Sequence, residues 1–377
     1  MIKVWDYLSE YAEEHDEWHQ AINDVLCSGK LILGPFVERF EQAFADYCGV
    51  RYGVGVNSGT DALFLALKAL GIGHGDEVIT VANTAVPTVA AIVASGARPC
   101  FVDIDPDTFL MDTQQLEQCI NNRTKCILPV HLYGQCVDMQ AVQAIADRHG
   151  IAVLEDCAQA HGATYGDKRA GAMSQLSAFS FYPTKILGGV GDAGMVLTND
   201  ESLYLKLKRL RFYGMETTYF AKEHGYNSRL DELHAAILLK KLHRLDSYIA
   251  RRRQLAGRYD EALRGSALQL PLQHDNGVHA YYLYVCRHRL RDQWIERLKS
   301  HDIHVNISYP WPIHTMPAYQ ELGYKKGDLP HTERAADEIF SLPMYPSLHD
   351  EQQRQVIDVL LAIDHQLSTV ANERISP

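Results

Sequence analysis

Lys185 stands in the run S-F-Y-P-T-K, directly after the apolar stretch Leu176–Phe181 and just before the glycine-rich loop Gly188, Gly189, Gly191. Upstream, a second apolar stretch, Ile151–Glu155, leads to Asp156 in E-D-C-A-Q-A-H-G. A lysine amine can condense with a carbonyl, and a carboxylate at the end of a nearby strand can keep a pyridine nitrogen protonated. That pair is what pyridoxal phosphate chemistry demands. A lone lysine is ordinarily a solvated surface residue, so the reading depends on its company. In G-V-G-V-N-S-G-T-D-A-L a strand runs into a helix and places Ser58, Gly59 and Thr60 at the helix N-terminus. Free N–H groups and the helix dipole make an anion site there. Taken alone, an ordinary cap by Ser58 or Thr60 explains the segment equally well. Its G-x-G-x-x-x-G spacing is not a dinucleotide fingerprint. Gln159, three residues beyond Asp156, could reach a phenolic oxygen on the cofactor. Ser180 offers a hydroxyl for a second phosphate contact, or it is a buried serine bonded to backbone.

These groups need a scaffold that gathers strand ends. Short apolar runs recur at Tyr52–Val56, Glu77–Val81, Pro99–Ile104, Lys125–His131, Ile151–Glu155, Leu176–Phe181 and Gly194–Leu197. Most are continuous rather than alternating, which buries both faces as in a parallel sheet. Helical spacing falls between many of them, most clearly over Asp61–Leu70, Thr84–Ser95, Thr113–Asn121 and Met139–Arg148. Strand–helix–strand order predicts right-handed crossovers and a three-layer α/β/α domain. The last two runs are joined by the glycine-rich loop instead of a helix, so one antiparallel edge pairing is expected. Ligands bind at the carboxyl ends of the strands in such sheets, where Asp156 falls.

The pattern changes after Arg229. Leu230 to about Leu263 has helical spacing, with Leu233, Ile237, Leu238, Leu242, Leu245 and Ile249 on one face. Lys240, Lys241, Arg244, Arg251, Arg252 and Arg253 on the other read as a solvated surface. A strand at Ala280–Val285, a helix at Arg291–His301, a strand at His304–Ile307 and a last helix from Asp350 to about Leu367 follow. Residues from about Ala371 to Pro377 are expected to fray. This divides the chain into a large domain with an N-terminal helix, 1–245, and a smaller α+β domain, 246–377.

Composition narrows the function. The 377 residues carry 46% hydrophobic and 22% charged side chains, ordinary for a globular protein. A net charge of −11 argues against nucleic acid as a partner. No stretch approaches a membrane span, and residues 1–5 do not open like a signal peptide, so a cytoplasmic location is expected. The eight cysteines are scattered without a C-x-x-C pair and read as reduced. With no H-E-x-x-H and no collected His/Cys group, no metal is expected.

Taken together, the motifs carry a resemblance over nearly the whole chain. G-P-x-V-x-x-F-E at Gly34–Glu41, N-S-G-T-D-A-L at Asn57–Leu63 and F-V-D-I-D at Phe101–Asp105 begin it. P-V-H-L-Y-G-Q at Pro129–Gln135, E-D-C-A-Q-A-H-G at Glu155–Gly162 and S-F-Y-P-T-K at Ser180–Lys185 continue it. G-Y-N-S-R-L at Gly225–Leu230 and Y-P-W-P-I-H at Tyr309–His314 complete it. In these the chain resembles the DegT/DnrJ/EryC1/StrS sugar aminotransferases, which are fold-type I pyridoxal phosphate enzymes.

The resemblance implies pyridoxal 5'-phosphate as cofactor, passing through pyridoxamine 5'-phosphate. Lys185 would be the catalytic residue, attached to the cofactor and shuttling the proton. Asp156 would pair with the ring nitrogen and Gln159 with the ring oxygen. Ser58, Gly59, Thr60 and Ser180 would hold the phosphate, joined by Asn227 acting across a homodimer. Tyr182, Arg229, Tyr309 and His314 would face the substrates, L-glutamate and a nucleotide-linked keto-sugar. Two positions depart from the family's pattern: Ala85, where many relatives stack an aromatic ring on the cofactor, and Ser308, where many that aminate C3 carry histidine. The loop G-G-V-G-D-A-G and the proline-stiffened Ser308–His314 segment resemble the group that aminates C3 of a dTDP-linked 3-keto-6-deoxyhexose. Amination at C4 of a 4-keto sugar is the alternative. A histidine-based dehydratase is opposed by Lys185, and a non-enzymatic ligand-sensing regulator by the acidic chain.

Overall fold

The computed structural model describes residues 1–274 and 276–373. Five strands form in the first part of the chain: β1 (Tyr52–Val56), β2 (Glu77–Val81), β3 (Arg98–Val102), β4 (Thr124–Ile127) and β5 (Ala152–Asp156). A two-residue hairpin, β6 (Thr164–Tyr165) and β7 (Lys168–Arg169), precedes β8 (Leu176–Ser180) and β9 (Gly194–Thr198). The large strands make one seven-stranded sheet in the order β1-β9-β8-β5-β4-β2-β3. All neighbouring pairs are parallel except the two made by β9. The antiparallel strand is therefore internal, not at the edge where the sequence placed it. β1 pairs with its outer side through all five residues, Tyr52–Thr198 to Val56–Gly194, and takes the edge itself.

Helices cover both faces, as the continuous apolar strands require. Leu176, Ala178 and Val196 face α3 (Gly59–Ala69), α4 (Val86–Ser95) and α6 (Met139–His149); a short helix, α5 (Leu116–Cys119), and α7 (Glu201–Leu210) extend this layer. Phe179, Met195 and Leu197 point the other way, onto α2 (Pro35–Cys48) and α8 (Glu232–Leu242). α1 (Tyr7–Ser28) lies outside α8, with Trp18, Ala21 and Val25 against Ala236 and Ile237. A hairpin of β10 (Met215–Thr217) and β11 (Phe220–Ala221) projects after α7, and β12 (Gly277–Val278) pairs with β6.

The long helix expected from Leu230 to about Leu263 is two helices. α8 stops at Leu242 and α9 (Leu245–Ala262) restarts after His243 and Arg244. Nor is the basic face merely solvated. Lys241 is 2% exposed, pairs with Glu10 and sits 5.0 Å from the Trp18 ring centroid, while Arg244 pairs with Glu17. Arg252 is 3% exposed and donates to the carbonyls of Tyr281, Tyr282 and Met344. These cations tie α1 and the C-terminal region to α8 and α9, an outcome that helical spacing cannot signal.

The C-terminal region holds its own core, where Leu255, Tyr259, Tyr284, Trp294, Phe340 and Leu360 meet Ile2 from the other end of the chain. It is built from β13 (Tyr284–Arg287) paired antiparallel with β14 (Ile339–Leu342), and from α10 (Arg291–Ser300), α11 (Pro330–Glu338) and α12 (Asp350–Glu373). The strand expected at His304–Ile307 is reduced to isolated bridges, Ile2 to Ile303 and Asn306 to Ser341. Of the tail expected to fray, 371–373 continue α12 and 374–377 lie outside the described residues. Asp103, just past β3, joins the two regions. Its carboxylate accepts the N–H groups of His331 and Thr332 and the Thr332 hydroxyl, holding the start of α11.

Candidate active site

The carboxyl ends of β5 and β8 and the N-terminus of α3 enclose a cavity of about 370 Å³, within the range of small-molecule sites. Its wall includes Ser58, Gly59, Thr60, Asp156, Gln159, Ser180, Tyr182 and Lys185, eight of the residues singled out from the sequence.

Asp156 is the last residue of β5 and only 4% exposed. Its backbone is held by Pro129 and His131. Its side chain accepts the Ala158 N–H at Oδ1 (3.1 Å) and the Thr88 hydroxyl at Oδ2 (2.8 Å). Burial pushes the carboxyl up from its ordinary range, against those hydrogen bonds and the nearby charge of Lys185. A buried carboxylate that lines a cavity without a bonded cation among the described residues suits a protonated ring nitrogen.

Lys185 is carried by a tight turn after β8. Its N–H bonds Tyr182 O, and Gly189 N–H returns to Phe181 O. Gly188 is required there, since a Cβ would stand 2.3 Å from Pro183 O. Lys185 Nζ makes no hydrogen bond or ion pair among the described residues and lies 4.7 Å from the Tyr282 ring centroid. Tyr282, 97 residues downstream, carried no signal in the sequence.

The anion site has both features the sequence left open. Ser58 is the N-cap of α3 and spends its oxygen on the Asp61 N–H (3.1 Å). Gly59 and Thr60 open the first turn of α3 and line the cavity, and N–H groups of a first helical turn have no partner within the helix. Gly59 cannot carry a side chain, because a Cβ would lie 2.6 Å from Ser180 Cβ. Ser180 accepts the Tyr182 N–H, and its own hydroxyl hydrogen has no acceptor among the described residues. Two N–H groups, a helix dipole and a hydroxyl in one cradle fit a phosphate.

On the opposite side, Gln159 Oε1 accepts the Tyr133 N–H (2.8 Å) and its Nε2 donates to Tyr309 OH (2.5 Å). The two tyrosine rings stack with centroids 6.5 Å apart. Tyr309 thus adjoins the site through Gln159. Tyr182 lines the cavity and is 51% exposed.

Besides Tyr309, which reaches it only through Gln159, three expected site residues are not brought to the cavity. His314 is fully buried in a 3-10 turn, with Nε2 3.0 Å from Glu333, because Ile313 and Tyr319 pack that segment onto Phe101. Arg229 lies over the Phe212 and Tyr213 rings at 5.2 and 5.6 Å. Asn227 is exposed and bridged to Phe212, while its neighbour Ser228 pins the loop to Asn57 and Asp61. Sequence reasoning passed over Thr84, Thr88, Pro87 and Val130, which also line the cavity, and read Asp192 only as part of the loop after Lys185.

Beneath β5, Glu155 and His131 form a fully buried pair at 3.0 Å. The Val137 N–H donates to His131 Nδ1, so Nε2 carries the hydrogen toward Glu155. Burial alone would raise Glu155, but His131, the Gly171 N–H and Ser174 hold its carboxyl below its usual range. With Cys157 these residues place three possible metal-ligand atoms within 4.8 Å, a grouping that spacing did not reveal; His131 and Glu155 already use theirs on protein partners.

The chain is similar to known proteins over nearly its whole length. A dTDP-3-amino-3,4,6-trideoxy-α-D-glucose transaminase of Micromonospora megalomicea subsp. nigra is 52% identical over 95% of this chain and 97% of its own length. A pleiotropic regulatory protein of Geobacillus stearothermophilus is 42% identical over 95% of this chain and 97% of its own. The crystal structure of S. venezuelae DesV in complex with a ketimine intermediate is 43% identical, with a TM-score of 0.94 over 95% of this chain and 97% of that one. Residues 12–361 match one family description throughout: the chain belongs to the DegT/DnrJ/EryC1/StrS aminotransferase family.

Proposed function

We propose that the protein transfers the amino group of L-glutamate to C3 of a dTDP-linked 3-keto-6-deoxyhexose, with pyridoxal 5'-phosphate as cofactor. The observation that carries the reading is the convergence of Lys185, Asp156, Ser180 and the α3 N-terminus on one cavity. The name of the relative at 52% identity supports the dTDP nucleotide and position 3. Over the whole reaction glutamate leaves as 2-oxoglutarate and a C=O of the sugar becomes a C–NH₂. The cofactor, once bound, supplies the electron sink that makes the substrate's C–H bond acidic.

The chain's own residues do the rest. Lys185 would hold the cofactor through its amine and, once the substrate's amine has displaced it, would move the proton from the substrate carbon to the cofactor. Asp156 would hold positive charge at the ring nitrogen. Gly59, Thr60 and Ser180 would hold the phosphate, and Gln159, fixed between Tyr133 and Tyr309, would meet the ring oxygen. Tyr182 and Tyr309 border the sugar. Ala85 lines the cavity with a methyl group, so ring stacking is not supplied from that position. Asn227, exposed and outside its own cavity, fits a contact to the phosphate of a second subunit. A homodimer is supported by the exposed Tyr219 (94%), Phe220 (61%) and Tyr213 (45%) on the segment leading to Asn227, apolar surface that a second copy would cover.

The decisive experiment incubates the protein with glutamate and a panel of dTDP-, UDP- and GDP-linked 3- and 4-keto sugars, and locates the new amine by NMR. The expected product is the 3-amino sugar. A 4-amino product alone overturns the position and leaves the transaminase standing. The name of the 42% identical relative favours one other reading, a regulatory ligand sensor; no amine transfer with any sugar in the panel would support it.

A further inference from the structure

Behind Asp156 stand two threonines that the reaction as described does not use. Thr84 and Thr88 are 2% and 1% exposed and both line the cavity. Thr88 Oγ1 lies 2.8 Å from Asp156 Oδ2, and Thr84 Oγ1 lies 2.9 Å from Thr88 Oγ1. They flank the start of α4, four residues apart, on an element 68 positions from Asp156 in sequence. Neither hydroxyl is spent on capping: the cap residue is Ala85, which has no side-chain bond to give.

The direction of the chain follows from chemistry. An ionised carboxylate only accepts, so Thr88 must donate to Asp156, and Thr84 in turn donates to Thr88. Both hydroxyl hydrogens then point towards Asp156. Thr88 takes one lone-pair site at Oδ2 and the Ala158 N–H one at Oδ1. A carboxylate has about four such sites, so the rest are left for the cavity. Hydrogen bonds to the charged form favour that form, and at this depth burial works against it.

We propose that Thr88, backed by Thr84, is a positioning residue that keeps Asp156 ionised and aims its free lone pairs at the cofactor's ring nitrogen. The proton shared between Asp156 and the ring nitrogen then rests on the ring. Without the Thr88 hydroxyl, Oδ2 loses its donor in a buried site, and the proton shifts towards Asp156. No proton is gained or lost; only its position along the pair changes. This inference rests on the pyridoxal phosphate reading above.

The test loads the full-length protein with pyridoxal phosphate labelled with ¹⁵N in the ring and records the nitrogen resonance, which distinguishes protonated from neutral pyridine. Thr88→Val, of nearly the same shape, should move the resonance towards the neutral position and weaken uptake of the cofactor by the apoprotein by roughly ten-fold. Thr88→Ser, which keeps the hydroxyl, should stay near wild type in both readings. Thr84→Val should move the resonance less, in the same direction. An unmoved resonance in Thr88→Val, or an equal displacement in Thr88→Ser, overturns the inference. If Thr88→Val does not fold, Thr84→Val decides, and an unchanged resonance there overturns the relay. Wild-type protein that takes up no cofactor overturns the functional reading itself, and this inference with it.

Discussion

On the cofactor side of the cavity each group sits within a few residues of a regular element: Asp156 ends β5, Ser180 ends β8, Gly59 opens α3 and Lys185 follows β8 by five residues. On the substrate side the groups ride on irregular segments. Tyr133 and Tyr309 hold φ of 59° and 71°, and Tyr281, next to the ring beneath Lys185, holds 48°. Bulky residues in that left-handed region carry strain that persists only where the surroundings enforce it. Here the enforcement is visible for Tyr133 and Tyr309, which grip the two ends of the Gln159 amide. The cofactor side is thus set by sheet register and the substrate side by long-range loop packing. One should tolerate few chemical changes and the other should be adjustable.

The largest effect should come from Lys185→Ala. It should reduce both half-reactions together by on the order of 10²–10⁴-fold, and borohydride treatment should no longer fix a pyridoxyl group on residue 185 by peptide mass. A loss confined to the sugar half would erase the division drawn above. Subunit mixing probes the segment that belongs to neither side of its own cavity. The Lys185→Ala and Asn227→Asp proteins should each be weak. If Asn227 acts across the interface, their hybrid has one site with both defects and one with neither. A statistical mixture of such dimers should regain roughly a quarter of wild-type turnover. Verified hybrids without recovered activity would place Asn227 in its own site.

Glu232 tests the scaffold beneath. Its buried carboxylate accepts the N–H groups of Gly34, Phe36 and Val37 at the start of α2. Glu232→Ala should lower stability by about 1–3 kcal/mol, read from urea unfolding, with little change in Km for the sugar. Tyr309→Phe removes the hydroxyl that holds Gln159 Nε2. Because Gln159 is read as meeting the ring oxygen, the change should slow both half-reactions by roughly two- to ten-fold in single-turnover measurements. An effect confined to the sugar half would assign Tyr309 to the substrate side alone.

An effect confined to acid concerns His161, enclosed by Phe44, Phe179 and Phe181 and pushed down to about 3 by burial. The unfolded chain protonates this residue below its ordinary value of 6.5 while the folded chain does not. Stability is therefore present above that value and is lost as pH falls towards 3, at roughly 1.4 kcal/mol per pH unit for one proton. His279 behaves alike, also pushed down by burial to about 3. His161→Phe should remove one proton's share of the slope between pH 6.5 and 3 in unfolding measurements, and an unaltered slope would show that His161 does not set it.

Most of the proposed cofactor side was legible before the fold was known. Apolar runs located the strands to within a few residues, and chemistry-bearing residues at their carboxyl ends marked Asp156 and Ser180. The α3 start was visible in N-S-G-T-D. Less was legible elsewhere. His314 read as a hydrogen-bonding group beside prolines, but its burial against Glu333 depends on Phe101 and Tyr319 meeting across the fold. The basic run on α8 and α9 looked like a wet face because the carboxylates of α1 that cover Lys241 and Arg244 lie more than 220 residues away.

Local sequence by itself determined the strand and helix types, the tight turn that presents Lys185 and the helix start that can take an anion. Those depend on propensity, apolar period and glycine geometry, which act over a few residues. Tertiary structure alone decided that β9 is internal, that Tyr282 lies under Lys185, that Thr84 and Thr88 stand behind Asp156 and that Gln159 is clamped between two tyrosines. Each is a contact between segments far apart in the chain, fixed by sheet order and close packing, and short-range patterns carry no information about which distant partner will be met.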